Sequence, residues 1–142
     1  MTLKTITTTH ITTASALEAA EAARAHARDL GITISAAVVD RGGAILALVR
    51  DNGAPQQTAG VAEDKALTAA SFGAPTGAFG KALHGMGPVV FHGLLERPRM
   101  AAFGGGLPIV VDGERVGGIG VSGGTAEEDE LCAKAGLEAL GL

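Results

Sequence analysis

Residues 103–124 read Phe103-Gly-Gly-Gly-Leu-Pro-Ile-Val-Val-Asp-Gly-Glu-Arg-Val-Gly-Gly-Ile-Gly-Val-Ser-Gly-Gly124 and contain nine of the chain's 22 glycines. Asp112-Gly113 separates two short apolar stretches. This pattern predicts a β-hairpin closed by a type I′ turn, because both central positions of that turn need positive φ. Glycines at the ends of a hairpin indicate that backbone or a ligand approaches more closely than a Cβ would allow. The stretch therefore predicts a hairpin beside a glycine-lined recess.

Apolar spacing predicts the other elements. Ser15 and Glu18 form a capping-box pattern at the start of a helix, and Gly31 supplies a left-handed stop at its end. Thr125 and Glu128 repeat the capping pattern near the end of the chain. In chain order, the prediction is a helix at 15–30, strands at 32–39 and 44–50, a helix at 57–72, short helices at 78–83 and 89–95, the glycine-rich hairpin, and a last helix after Thr125.

This order of elements predicts the fold class. Consecutive strands joined by tight turns are antiparallel, which excludes a doubly wound parallel sheet. Helices before, between and after the hairpins would cover both faces of the sheet. We therefore expect an α/β (α+β) fold, a three-layer α-β-α sandwich around an antiparallel sheet, in one domain spanning residues 1–142. The Thr-rich opening, residues 5–13, is either an edge strand or an unpaired arm.

Several spaced motifs resemble one known family. The motifs are Ala37-Val38-Val39-Asp40-Arg41-Gly42-Gly43, Arg50-Asp51, Lys65-Ala66-Leu67-Thr68-Ala69-Ala70, Gly105-Gly106-Leu107-Pro108-Ile109, and the hairpin followed by Thr125 to Glu130. In this order they are similar to the GlcG/HbpS family of small haem-binding or haem-degrading domains, which is related to the C-terminal domain of some corrinoid adenosyltransferases. In place of the family's Arg-x-Asp-Gly-Ala, this chain has Arg50-Asp51-Asn52-Gly53-Ala54.

The resemblance implies a roadblock or profilin-like sandwich of about five strands and a haem or tetrapyrrole ligand that is sensed, stored or degraded. In that interpretation Arg50 and Lys65 meet the propionates, and His84 or His92 approaches the iron. The wall formed by Gly104, Gly105 and Gly106 admits the flat macrocycle.

Composition narrows the classes of partner. The formal net charge of −4 and the absence of a basic stripe argue against nucleic acid. No signal peptide or membrane-spanning run is present in the sequence, and the lone Cys132 suits a small core position, so we expect a cytoplasmic protein without a membrane partner. Abundant glycine and alanine allow close-packed layers and favour a homo-oligomer.

Two familiar motifs are rejected. Gly118 to Gly123 matches G-x-G-x-x-G, but a dinucleotide site needs a parallel βαβ unit and a later acidic residue, and the chain has no later strand. Ser122 has no adjacent base and lacks the G-x-S-x-G frame of a serine hydrolase.

The histidines form no metal-binding signature such as H-E-x-x-H, so a metal site built from protein groups alone is not expected. His84 and His92 remain as candidate ligands for haem iron only. Lys65 lies on the apolar stripe of its helix, where a charge is costly unless a carboxylate from the protein or from a ligand meets it.

Three hypotheses about function remain open. The first is a module that binds haem or another tetrapyrrole. The second is a small-molecule enzyme of the isomerase, lyase or tautomerase type, in which Lys65 and Arg50 hold a carboxylate-bearing metabolite and a nearby acid or histidine carries the proton. The third is an oligomeric scaffold without a ligand. A saturable Soret shift on titration with haemin separates the first from the other two.

Overall fold

The computed structural model describes all residues, 1–142, and contains five helices and one sheet. Every pair of neighbouring strands is antiparallel, and the strand order is β2-β1-β4-β3. The elements are α1 (Thr13–Asp29), β1 (Ser35–Asp40), β2 (Ile45–Arg50), α2 (Gln57–Phe72), α3 (Thr76–Gly85), α4 (Pro88–Leu95), β3 (Gly106–Val111), β4 (Glu114–Ser122) and α5 (Ala126–Ala139).

The sheet is an open one of four strands, so the expectation of about five strands is wrong. The Thr-rich opening is not an edge strand: it forms a single backbone bond of 3.0 Å to β4, from Ile11 N–H to the Val116 carbonyl. Thr9 is held instead by the Glu114 carboxylate, to which its hydroxyl donates at 3.1 Å. Residues 1–10 are exposed, so they form the unpaired arm that was the other expectation.

Helices cover both faces of the sheet. On one face, alanines of α1 and Cys132 and Ala133 of α5 pack against Val38, Ile119 and Val121. On the other face, Ala62, Ala66 and Ala70 of α2 pack against Ala37 and Val39 of β1. Cys132 is fully buried and occupies the core position that was expected of it. The small side chains let the helices lie close to the strands.

Two glycines of β4 let α2 lie directly on the sheet. A Cβ at Gly120 would lie 2.1 Å from the Ala62 carbonyl oxygen, and one at Gly118 would lie 2.4 Å from that of Ala66. The close approach predicted for the glycine-rich stretch is therefore made here by helix backbone.

The turns agree with their sequence signals in most places. Asp112 and Gly113 have φ of 51° and 77°, as a type I′ turn requires, and Gly73 ends α2 in the left-handed conformation. The capping box expected at Ser15 is wrong. The N-cap is Thr12, whose hydroxyl accepts the Ser15 N–H at 3.2 Å, so the helix begins one turn earlier.

The segment between α2 and β3 contains one packed helix, α3, which buries Thr76, Gly80 and Leu83, and one exposed helix. It contains α3 and α4, each slightly longer than predicted, and α4 has no buried residue. None of the five helices has the length and hydropathy needed to cross a bilayer.

Candidate functional site

A cleft of about 940 Å³ lies at the edge of the molecule that carries β3. One wall is α3, the opposite wall is the first half of α5, and the floor is the loop formed by Ala102, Phe103 and Gly104. Phe91 of α4 closes one end. The volume falls within the usual range of small-molecule and cofactor sites.

Aromatic and aliphatic side chains provide the apolar surface of the cleft. Phe91, Phe103 and Leu131 line it, and 51% of Phe103 and 50% of Leu131 is exposed to solvent. The His84 imidazole meets the Phe91 ring edge to face, with 5.4 Å between the ring centroids. These contacts orient an imidazole beside an apolar surface large enough for a flat ligand.

Charged side chains surround this apolar surface. Lys81 of α3 and Lys134 of α5 are exposed, line the cleft and take part in no ion pair. Glu127 and Glu130 lie on the same wall as Lys134. The two ammonium groups are therefore available to an anionic ligand, whereas the two carboxylates would disfavour one placed against α5.

A buried ion pair supports the floor of the cleft. Lys65 of α2 is fully buried, and its ammonium donates to the Asp129 carboxylate at 2.9 Å and to the Val121 carbonyl at 2.8 Å. The same ammonium lies 4.6 Å from the centroid of the Phe103 ring. Phe103 therefore contacts a cation on its protein side and takes part in lining the cleft.

Burial acts on both members of this pair in the same direction, toward the neutral form. Desolvation lowers the pKa of Lys65, and the hydrogen bond and charge of Asp129 oppose that shift. Desolvation raises the pKa of Asp129, although Lys65 and the N–H of Gly124, which donates to the carboxylate at 2.8 Å, oppose it. Each side chain thus favours the charged form of the other and offsets part of the cost of burying it.

The Thr76 side chain holds the backbone at both ends of the triple-glycine segment, residues 104–106. The Thr76 hydroxyl donates to the Phe103 carbonyl at 2.6 Å and accepts the Gly106 N–H at 2.9 Å. Gly105 has φ of +124°, and a Cβ there would lie 2.7 Å from the Lys65 ammonium. Close packing over Lys65 therefore requires the glycine at 105.

The structure brings only some of the predicted site residues together. His84 and Gly104 line the cleft, whereas Lys65, Gly105 and Gly106 lie beneath it within the protein. His92 is exposed on α4 and does not line the cleft. Its imidazole contacts the Phe91 ring, with 5.4 Å between the ring centroids.

Arg50 lies away from the cleft. It ends β2, the edge strand opposite β3, and three strand spacings of about 4.8 Å separate the two edges. Its guanidinium donates to the Ala54 carbonyl at 2.8 Å. Arg50 and Lys65 therefore do not form a joint anion site.

Sequence reasoning missed most of the cleft. Glu127, Glu130, Leu131 and Lys134 follow the spacing i, i+3, i+4, i+7, which places them on one face of α5. The spacing can be recognised in the sequence, but it does not reveal that α3 and Phe91 lie opposite this face of α5. A carboxylate meeting Lys65 was foreseen from the sequence, but no sequence signal identified it as Asp129.

No group of three or more His, Cys, Asp or Glu side chains is arranged to hold a metal ion. The other sizeable recess is a shallow groove along α2, lined by Gln56, Gln57, Gly60, Val61 and Asp64. It has one hydrophobic lining residue and no imidazole, so the cleft beside β3 is the better candidate site.

Comparison with known proteins gives consistent matches. Residues 11–138 match the family model described as haem degrading protein HbpS-like. Protein GlcG of Escherichia coli K12 is 34% identical over 90 residues, which are 63% of this chain and 64% of GlcG.

Two solved structures share the fold. The crystal structure of a double mutant of Streptomyces reticuli HbpS has a TM-score of 0.89 and 37% identity, covering 97% of this chain and 92% of that one. A structure described as a PduOC:heme complex has a TM-score of 0.83 and 24% identity, covering 92% of this chain and 94% of that one. At the latter identity the likeness concerns the fold.

Proposed function

Because this chain belongs to the family of HbpS-like haem-degrading proteins, we propose that it binds haem in the cleft between α3 and α5. The observation that carries the proposal is the position of His84: it is the one imidazole in the cleft, it lies against Phe91, and an unpaired lysine stands on each wall. The haem complex of a protein with the same fold is consistent with this proposal.

The side chains present fit the chemistry of haem. One proximal imidazole is sufficient to hold haem iron, and His84 supplies it. Phe91, Phe103 and Leu131 offer an apolar surface for the macrocycle. Lys81 and Lys134 can each donate charge-assisted hydrogen bonds to a propionate. Gly104 lets the floor of the cleft lie close to the start of α5, since a Cβ there would lie 2.9 Å from the Ala126 carbonyl oxygen. Bound haem supplies an iron centre capable of redox chemistry.

The enzyme hypothesis based on Lys65 and Arg50 receives less support. Its lysine would have to reach a substrate carboxylate, but the Lys65 ammonium is buried and already bonded to Asp129. Arg50 lies at the opposite edge of the sheet. Haem binding uses the exposed cationic groups of the cleft and leaves the internal ion pair intact.

The test is a titration of the purified chain with haemin, followed by absorption spectroscopy. The chain contains no Trp or Tyr, so its own near-ultraviolet absorption is weak and the Soret band of bound haem is easily measured. We expect a saturable Soret shift at a stoichiometry of one haem per cleft. Loss of Soret absorbance after addition of a reductant in the presence of dioxygen would measure oxidative haem degradation in the same sample.

Matched variants locate the site. His84 and His92 both contact Phe91 at 5.4 Å between centroids, but only His84 lines the cleft. His84→Ala should change the Soret position and weaken binding, whereas His92→Ala should behave as the unmodified chain. Lys81→Gln should weaken binding about tenfold, since a charge-assisted hydrogen bond is lost. Absence of saturable binding, or binding that His84→Ala leaves unchanged, would overturn the proposal.

A further inference from the structure

The turn after β2 contains the chain's sole asparagine. Residues Asp51 to Ala54 form a β-turn in which the Ala54 N–H donates to the Asp51 carbonyl at 3.1 Å. Gly53 occupies the third position with φ of +85°, and Asn52 precedes it with negative φ, as in a type II turn. Asparagine occurs at no other position of the 142-residue sequence.

The peptide that joins Asn52 to Gly53 is unprotected. Both residues are exposed, and neither the Asn52 side-chain amide nor the Gly53 N–H has a hydrogen-bond partner in the protein. A Cβ at Gly53 would have no neighbour within 4 Å, so nothing packs against this peptide. The central peptide plane can therefore rotate without breaking the bond that closes the turn.

We propose that Asn52 is a site of spontaneous deamidation. The Gly53 backbone nitrogen attacks Cγ of Asn52 and loses its proton. The new N–Cγ bond closes a succinimide ring, and the Cγ–Nδ2 bond breaks to release ammonia. Water then opens the ring at either carbonyl, which leaves aspartate or isoaspartate at position 52. The reaction needs only water, and glycine favours it because no side chain hinders the attacking nitrogen.

The surroundings of the turn accommodate the new carboxylate. Asp51 is already engaged by Arg24, whose guanidinium donates to it at 3.3 Å. The Arg50 guanidinium reaches across the turn to the Ala54 carbonyl with one nitrogen and has no other protein partner. It provides a cation for the product. Aspartate at position 52 also gives the spacing Arg50-x-Asp-Gly-Ala54, which the sequence otherwise lacks.

The experiment follows the mass of the intact chain during incubation in mildly alkaline buffer at physiological temperature. Each conversion adds about 1 Da and one negative charge to a chain with formal net charge −4. A synthetic peptide covering residues 48–56 is incubated in parallel as the unstructured reference. We expect the folded chain to convert no more than about tenfold more slowly than the peptide, because no local unfolding is needed.

Asn52→Gln is the matched control, since it keeps an exposed amide but forms the cyclic intermediate far more slowly. It should gain no mass over the same period, and digestion of the unmodified chain should map the change to residue 52. Conversion more than about tenfold slower than in the peptide would mean that the turn protects Asn52 and would overturn the proposal. Equal mass gain in Asn52→Gln would overturn it as well. The turn lies outside the cleft, so neither result affects the test of haem binding.

Discussion

The sheet with its three packed helices and the helix α4 are built in opposite ways. In the first region, five alanines of α1 and three of α2 have no exposed surface, and glycines of β4 admit helix backbone. In the second, α4 buries none of its residues, and 86% of Val89 is exposed. The difference shows that α4 adds Phe91 to the site without contributing to the core, whereas Lys81 and His84 lie on α3, which buries Gly80 and Leu83.

The helix α5 belongs to the packed region and also lines the cleft. Its buried face carries Cys132 and Asp129 into the core, and its exposed face carries Leu131 and Lys134 into the cleft. The Lys65–Asp129 pair therefore lies where the packed region meets the candidate site. Substitutions at the contact between α2 and β4, at the Lys65–Asp129 pair and on α4 should therefore change the free energy of unfolding by different amounts.

The largest effect is expected for Gly120→Ala. The new Cβ would lie 2.1 Å from the Ala62 carbonyl oxygen and 2.5 Å from the Ala66 nitrogen, so α2 would have to move away from the sheet. We expect a loss of about 3 to 4 kcal/mol in the free energy of unfolding, measured by urea denaturation.

Gly60→Ala is the control for this substitution. Gly60 lies on the exposed side of α2, and a Cβ there would have no neighbour within 4 Å. This variant should be more stable by roughly 0.5 to 1 kcal/mol, because alanine loses less conformational entropy in a helix. Equal stability of the two variants would contradict the close approach of α2 to β4.

The next effect is expected for Lys65→Met, which leaves the Asp129 carboxylate buried without its cation. Breaking a buried pair on one side costs several kcal/mol, and we expect about 3 kcal/mol here, at the low end of that range, because the Gly124 N–H still donates to the carboxylate. The double variant Lys65→Met/Asp129→Asn should recover part of that loss, since asparagine can still accept the Gly124 N–H. Urea denaturation of the four proteins gives the coupling energy, and strict additivity of the two single losses would contradict a direct interaction.

The deficit of Lys65→Met, meaning its loss in free energy of unfolding relative to the unmodified chain, should also depend on pH. Burial raises the pKa of Asp129 above its ordinary value of 3.8, and Lys65 opposes that shift. Without Lys65 the pKa of Asp129 rises further, so the folded variant takes up this proton at a higher pH than the folded unmodified chain does. Such a group contributes stability that is fully present below the unfolded pKa and is lost as the pH rises through the folded pKa. The deficit should therefore shrink as the pH is lowered toward 4. A deficit independent of pH would argue against a charged Asp129 as its cause.

The smallest effect is expected for Val89→Ser on α4. The side chain is 86% exposed and packs against nothing that the substitution would uncover. The free energy of unfolding should change by no more than about 0.5 kcal/mol. A larger loss that depends on protein concentration would mean instead that a second copy of the chain covers α4.

Local sequence signals predicted much of the fold. The Asp112-Gly113 turn, the helix ending at Gly73 and the Thr125 cap depend on conformational preferences or hydrogen bonds within a few residues, and all three are confirmed. The prediction of a fifth strand is wrong, because the pairing of strands depends on which backbone groups far away in the chain are free to form hydrogen bonds. The Thr-rich arm resembles a strand in composition, but it makes only one backbone bond to β4.

The candidate site was predicted only in part. His84 and Gly104 were named from the resemblance and lie in the cleft, whereas Arg50 and Lys65 were chosen as free cations. Burial of Lys65 was foreseen from its place on an apolar stripe, but its partner was not. Lys65 and Asp129 are 64 positions apart, and no periodicity links residues at that separation.

The sequence by itself determined the helix and strand types, the antiparallel hairpins and the family, because these follow from short-range preferences and ordered motifs. Only the tertiary structure decided that the glycines of β4 admit α2, that Lys65 pairs with Asp129, and that His84 and Lys81 face Lys134 across a cleft. Those features require groups far apart in the chain to occupy the same space, and that depends on how the helices pack on the sheet.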